Sequence, residues 1–258
     1  SEEKIGKALS NVREKIFIAT KTAAKTPEDF WKDLETSLSL LKTDYVDIYQ
    51  FHQASQCYKP GDGTGMYEAM LEAKAQGKIR HIGFSFHDTA DVLDKILTDR
   101  PEIEVVQLQL NYVDFDDPSV ESRKCYEVCR KHGKPVLVME PVRGGNLVNL
   151  PDDAQKVFDD LRAETGSDCS NAGYALRFAA GFDGMEMVLS GMSNMEQMED
   201  NVHTFTQEAP LSQTEIRMLL DIAERMKNVI PCTGCRYCVD GCPMGLDIPL
   251  LIATCNEL

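Results

Sequence analysis

The sequence predicts an α/β fold, a (β/α)8 TIM-type barrel missing its first two strands, followed by a helical ferredoxin-like segment. Three observations predict it. Between residues 15 and 205, six short β-branched or aromatic runs alternate with amphipathic stretches, the pattern of repeated strand–helix units and a parallel sheet. Gly77, Gly133 and Gly181 sit where helices should end. No G-x-G-x-x-G follows a strand, which weighs against the rival, an open doubly wound sheet; the glycine-bearing loops come late, at Gly144-Gly145 and Gly191.

Ser1 reads as an N-cap with Glu2 and Glu3 in the first turn, so the chain opens on a helix. Strands are expected at 15–20, 45–51, 81–86, 105–110, 135–140 and 185–191. Helices are expected at 27–41, 66–75, 90–97, 120–131, 153–162 and 171–180, with 197–205 closing the last unit. Six units behind an opening helix make an eight-unit barrel short of two strands, and the two late glycine loops then follow strands seven and eight, the usual phosphate-binding corner of such barrels. A polar link and a helix at 213–227 lead to the cysteine run, giving a barrel over 1–205, a linker and helix over 206–230 and a cysteine segment over 231–258. With no initiating Met and a new apolar helix starting at Ile248, the chain is expected to be an internal piece of a longer protein.

A length of 258 residues suits one barrel-sized domain plus an appendage, and 43% hydrophobic with 27% charged residues excludes disorder, collagen and a pure coiled coil. Lys and Arg number 27 against 42 Asp and Glu, a net charge of −15, so neither nucleic acid nor an anionic membrane is an expected partner. No run approaches the ~18 apolar residues of a membrane span, and the polar start is not a signal sequence. A cytoplasmic location follows, and any anionic cofactor would need a local pocket of donors.

Four of the nine cysteines lie together as Cys232-x2-Cys235-x2-Cys238-x3-Cys242-Pro243. This is the C-x2-C-x2-C-x3-C-P spacing of bacterial iron–sulfur proteins, in which a tight loop wraps successive thiolates around a cubane. Structural zinc usually joins two separated C-x-x-C pairs, and a disulfide does not suit a reducing compartment. A [4Fe–4S] cluster is therefore expected, with Cys242 as its fourth ligand or as a ligand to a second cluster, and Cys255 as a substitute. Cys125 and Cys129 share a helix face and read as core, as do Cys57 and Cys169.

Barrel chemistry sits at the C-terminal ends of strands. His52 shares parity with Val46, Ile48 and Gln50 and so projects inward at the mouth, and Lys21 ends its own run in the same way. With A-T-K at Ala19, Y-V-D-I-Y-Q-F-H at Tyr45, I-G-F-S at Ile82, V-Q-L-Q-L-N at Val106, E-P-V-R-G-G at Glu140 and G-M-S-N-M-E-Q-M-E-D-N at Gly191, nearly the whole chain resembles the aldo-keto reductase family, in its branch with a C-terminal 4Fe-4S segment.

The resemblance implies an NAD(P)-linked oxidoreductase acting on a small-molecule carbonyl or alcohol. Lys21 and His52 match two members of the family's catalytic tetrad; its Asp and Tyr match no position here. In the family Tyr protonates the alkoxide left by hydride transfer, Lys lowers the phenol's pKa, and His52 would polarise the carbonyl oxygen. The piece as given is therefore expected to be inactive. For the cofactor, the resemblance places Ser85 and Gln107 near the nicotinamide carboxamide, Arg143, Gly144 and Gly145 beside the pyrophosphate, and Gly191, Ser193, Gln197 and Asn201 at the adenosine end. His87 stands either in the substrate pocket or on the surface. A cluster passes single electrons and a nicotinamide passes pairs, so the segment would serve a redox partner protein or act as a staple. The alternatives are an iron–sulfur electron-transfer or binding module on a degenerate barrel, and a zinc-binding interaction domain.

Overall fold

The computed structural model describes residues 1–53, 65–207, 209–226, 230, 232 and 236–256. Six strands are described, β1 (Ala19–Thr22), β2 (Val46–Phe51), β3 (Ile79–Phe86), β4 (Val105–Gln109), β5 (Val136–Met139) and β6 (Met185–Val188), lying in one sheet in chain order. The β1–β2, β2–β3 and β3–β4 pairs are parallel, with helices between successive strands, which is the expected βα repeat. The chain divides into two compact units, one of Ser1–Leu108 with Lys124–Leu137, the other of Gln109–Arg123 with Val138–Leu258.

In the first unit, helix Pro27–Leu41 starts at Thr26, whose hydroxyl accepts from the Asp29 N–H, with Pro at the first helical position. Its buried stripe, Phe30, Leu34, Leu38 and Leu41, packs an aromatic cluster in which Phe30 meets Tyr49 at 5.6 Å and Phe51 meets Tyr67 at 5.0 Å. All six β2 side chains are buried, as expected of a strand covered on both faces. The opening helix Glu2–Leu9 lies so close to this helix that a Cβ on Gly6 would come within 2.1 Å of the Leu40 carbonyl oxygen. Gly83 is as tight, since its Cβ would meet the Val105 carbonyl oxygen at 2.4 Å.

β1 begins four residues later than the expected 15–20, because side chains take the backbone groups a longer strand would have paired. Ser10–Lys15 is a 3-10 helix, and the buried Arg13 donates to the Ile16 carbonyl (2.9 Å) and the Tyr45 carbonyl (3.1 Å). Asp47, 1% exposed, accepts from the Ile18 N–H at 2.9 Å and pairs with Arg13 at 2.7 Å and Arg80 at 3.0 Å. Both guanidinium groups stack on the Tyr45 ring, at 4.0 and 3.9 Å from its centroid. A buried carboxylate with two cations and a backbone N–H is fully compensated.

In the second unit, Tyr112, Phe115, Phe158, Tyr174 and Phe178 build the core, with Phe115 edge-on to Phe178 at 5.4 Å and Phe158 against Tyr174 at 5.1 Å. Ser170 caps helix Asn171–Ala180 by accepting from the Gly173 N–H. After the link, helix Gln213–Arg225 opens with a Ser212–Glu215 capping box and buries Leu219 and Ile222. The strand expected over 185–191 stops at Val188, and Met195–Gln207 is helical from two residues before the expected 197, because Asn194 caps it: the Asn194 Oδ1 accepts from the Gln197 N–H at 2.8 Å. No helix among the described residues is long and apolar enough to cross a membrane.

Candidate active site

Three basic side chains meet at the carboxyl ends of neighbouring strands in the first unit. Register pairs Lys21 of β1 with Gln50 of β2, and the His52 N–H donates to the Thr22 carbonyl at 2.9 Å, so Lys21 and His52 leave adjacent strand ends side by side. His87 follows the last residue of β3, the neighbour on the other side of β2. The electrostatics confirm the grouping. Burial pulls the Lys21 ammonium below its ordinary pKa; burial, then the Lys21 charge, lowers His52; burial, then Lys21 and His52, lowers His87. No carboxylate forms an ion pair with Lys21 among the described residues. Lys21 and His52 thus leave adjacent strand ends, and the Lys21 charge acts on both His52 and His87.

Ser85 and Gln107 are register partners across β3 and β4, and both are buried. The Ser85 hydroxyl accepts from the Gln53 N–H at 3.3 Å, and Gln53 has a left-handed backbone (φ 55°), so Ser85 steadies the turn that carries His52. Gln50 of β2, fully buried and in register with Lys21 and Gly83, has neither amide atom hydrogen-bonded.

In the second unit a cleft of about 990 Å³ gathers Gly144 and Gly145 from one loop, Gly191 and Ser193 from another, and Gln197 and Asn201 from the first turns of helix Met195–Gln207. Six of the seven residues expected at the pyrophosphate and adenosine end therefore line one cleft. Its loops are held by side chains. The Ser193 N–H and hydroxyl both donate to the Gln197 Oε1, at 2.7 and 3.1 Å, and the Asn201 amide donates to the Ser190 hydroxyl at 2.8 Å. On the other loop, the Asn111 amide holds the Glu140 carbonyl at 3.0 Å, and Glu140, Arg143, Gly144 and Gly145 all take left-handed φ. Left-handed Glu and Arg are strained, and they persist because their surroundings over-determine them.

Arg143 is the seventh, and it does not line the cleft. Its side chain is 4% exposed and pairs with the buried Asp114 at 3.1 Å. Asp114 in turn accepts from Gln109 and Asn111. The guanidinium is thus committed to holding the loop whose glycines face the open space.

The aldo/keto reductase family pattern matches residues 1–224. The chain belongs to that family. An aldo-keto reductase of Mycobacterium avium is 26% identical over 211 residues, spanning 80% of this chain and 68% of that protein. Among solved structures, the holo form of an aldo-keto reductase from Bacillus halodurans superposes with a TM-score of 0.67 at 25% identity, over 86% of this chain and 76% of that one. An aldo/keto reductase from Klebsiella pneumoniae, solved with NADP and acetate, shares the fold at a TM-score of 0.66 and 22% identity, over 86% of this chain and 75% of that one.

The cysteine run of this aldo/keto reductase lies past the matched span. Cys235 is outside the described residues, as is Cys57. Cys232 has its carbonyl held by the Asn146 amide, Cys238 is exposed in the short helix Tyr237–Asp240, and the Cys242 N–H donates to the Val239 carbonyl. The backbone N–H groups of Leu246, Met244 and Gly245 lower the Cys242 thiol's pKa. Such N–H donors suit a thiolate ligand. Among the described residues no three metal-binding side chains come together. Cys125, Cys129 and Cys169 are buried as expected, and burial pushes the Cys129 thiol well up, which makes it a poor nucleophile or ligand. Cys255 is exposed on helix Ile248–Asn256.

The cleft also holds residues that motif reading passed over, namely Glu196, Asp200 and Arg162. The first two sit inside the G-M-S-N-M-E-Q-M-E-D-N run; Asp200 lies three residues past Gln197 and four past Glu196, so helical spacing could have found Asp200 from Gln197, and Glu196 from Asp200. Nothing local marks Arg162.

Proposed function

We propose that the protein is a carbonyl reductase that uses a nicotinamide dinucleotide, with a [4Fe–4S] cluster held by Cys232, Cys235, Cys238 and Cys242 in its C-terminal segment. The observation that carries the first part is the meeting of Lys21, His52 and His87 at neighbouring strand ends. Partial burial, and then the lysine's charge, disfavour the imidazolium of His52 and favour its neutral ring. It can then donate an N–H to a carbonyl oxygen without carrying a charge of its own. As negative charge gathers on that oxygen, Lys21 lowers its energy through space, and the preorganised N–H does so through a hydrogen bond. His87, at the end of the next strand, would line the substrate side.

When bound, the dinucleotide supplies the hydride, so that a ketone or aldehyde, NAD(P)H and a proton become the alcohol and NAD(P)+. Ser85 and Gln107 would hold the carboxamide, the Gly144–Gly145 loop the pyrophosphate, and Gly191, Ser193, Gln197 and Asn201 the adenosine end, with Arg143 bracing the first loop through Asp114. A cleft of this volume with two glycine-bearing loops and an open side at Gly191 suits such a ligand. The tetrad's Tyr and Asp match no position in these residues, so we expect the 258-residue chain alone to turn over poorly or not at all. A small carbonyl compound is the proposed substrate, a redox protein the proposed partner of the cluster, and the cytoplasm the proposed location.

The test is steady-state reduction of a panel of small aldehydes and ketones by the natural gene product, followed by His52→Ala. Turnover should be present in the parent and lost in the variant while dinucleotide still binds. Turnover unaffected by the variant would remove His52 from the chemistry. For the cluster, anaerobic reconstitution with iron and sulfide analysis and EPR after reduction should show four irons per chain, as expected for a [4Fe–4S] centre. Stoichiometric zinc without sulfide would overturn it. A nicotinamide titration with and without the intact cluster separates a reductase from an electron-transfer module on a degenerate barrel.

A further inference from the structure

We infer that the cleft selects the dinucleotide without a 2′-phosphate, NAD(H) over NADP(H), and that Glu196 and Asp200 set that choice. The inference rests on reading the cleft as the dinucleotide site.

Three carboxylates line the cleft, Glu140, Glu196 and Asp200, against a single cation among its lining residues, Arg162. That guanidinium is already spent. Its Nε donates to the Cys169 carbonyl at 2.8 Å, one terminal nitrogen donates to the Asn171 side-chain oxygen, and the other meets Asp159 at 3.1 Å. Arg143, beside the cleft in sequence, is buried on Asp114.

The loop and helix start that match the adenosine end, 191–201, contain no Lys or Arg at all. Several of their donors are engaged within the loop: Gln197 takes both the N–H and the hydroxyl of Ser193, Asn194 takes the N–H of Gln197, and Ser190 takes the amide of Asn201. What they offer instead is carboxylate. Glu196, in the first turn of helix Met195–Gln207, makes no ion pair among the described residues, and Asp200, one turn on, accepts from the Ser170 hydroxyl through one oxygen and keeps the other.

A phosphate monoester carries about −1.5 to −2 charges at neutral pH and is recognised by charge-assisted donors. A ribose 2′-hydroxyl is a donor, and a carboxylate is the acceptor that suits it, the same choice of acidic residue or arginine that separates NAD from NADP sites on other folds. In a chain of net charge −15, nothing at long range offsets the local repulsion.

The experiment is direct binding of NADH and NADPH to the natural gene product, by nucleotide fluorescence and by calorimetry, at low and high salt. NADH should bind at least about tenfold tighter, the size of one lost charge-assisted contact or one like-charge pair. The gap should narrow as salt rises. Glu196→Lys, at an exposed position, should tighten NADPH by roughly tenfold and, by removing an acceptor for the ribose 2′-hydroxyl, weaken NADH by up to about tenfold; Glu196→Gln should move NADPH in the same direction by less. NADPH binding as tightly as NADH in the parent, or unmoved by Glu196→Lys, would overturn the selection while leaving the cleft a dinucleotide site. Failure of both nucleotides to bind would overturn the cleft assignment itself, and the selection with it.

Discussion

The two ends of the strands in the first unit handle charge in opposite ways. At the starts of β2 and β3, Asp47 is closed in by Arg13, Arg80 and the Ile18 N–H, with both guanidinium groups stacked on Tyr45. At the carboxyl ends, Lys21, His52 and His87 stand together; burial lowers all three pKa values, and the Lys21 charge lowers both histidines further. A charge cluster that is neutralised internally lowers the energy of the fold. One left open raises that energy slightly and keeps its attraction for a ligand.

The largest effect expected from breaking this contrast is at the open end. His52→Ala should lower carbonyl turnover by ~10²–10⁴ if the imidazole serves the developing alkoxide, with a urea midpoint close to the parent's. A variant that loses stability and keeps its rate would reverse the roles assigned to the two ends. At the closed end the expectation is the converse. Asp47→Ala strands a buried guanidinium and an unpaired N–H and should cost about 3–5 kcal/mol in urea unfolding, while NADH affinity stays within about threefold, since the nucleotide reading draws on no residue there. Tyr45→Leu keeps the ion pairs and removes the aromatic face, so a smaller loss of ~1–2 kcal/mol is expected.

The smallest effect is a pH dependence. Because His52 and His87 bind protons less readily in the folded chain than the ordinary imidazole value of 6.5, the unfolded chain takes up protons first as pH falls. Stability is therefore unaffected above about pH 7.5, drops as pH descends through 6.5, and stops dropping once the folded rings are protonated. Chemical denaturation at a series of pH values should show this slope, and the double variant His52→Gln, His87→Gln should flatten it. An unchanged slope would mean that neither ring binds protons less readily in the folded chain than in the unfolded one.

Helices 27–41, 66–75 and 171–180 coincide with their expected bounds, because each carries its own stop signals: Thr26-Pro27 at one start, Gly77 just past one end, Ser170 and Gly181 around the third. Strand bounds fared differently. β1 starts late because Arg13 and Asp47 engage the backbone around it, Asp47 from 29 residues away, and the helix after β6 starts early because Asn194 caps it. Within the candidate site, Lys21 and His52 were legible from parity and motif. Arg143 was legible as a loop residue, yet its guanidinium turned to Asp114, 29 residues earlier.

The sequence by itself determined which residues carry chemistry and roughly where along the βα repeat they fall. Periodicity, caps and cysteine spacing are local, and a residue's type and its distance from the next motif need no partner to be read. Only the tertiary structure decided which charges are spent and which remain. A carboxylate or guanidinium has the same formula whether buried against its opposite or facing an open cleft, and the difference lies in neighbours that parallel strand crossovers bring together from tens of residues away. That is why Asp47 and Arg143 became parts of the scaffold, and why Glu196 and Asp200, unremarkable in the chain, came to line the cleft.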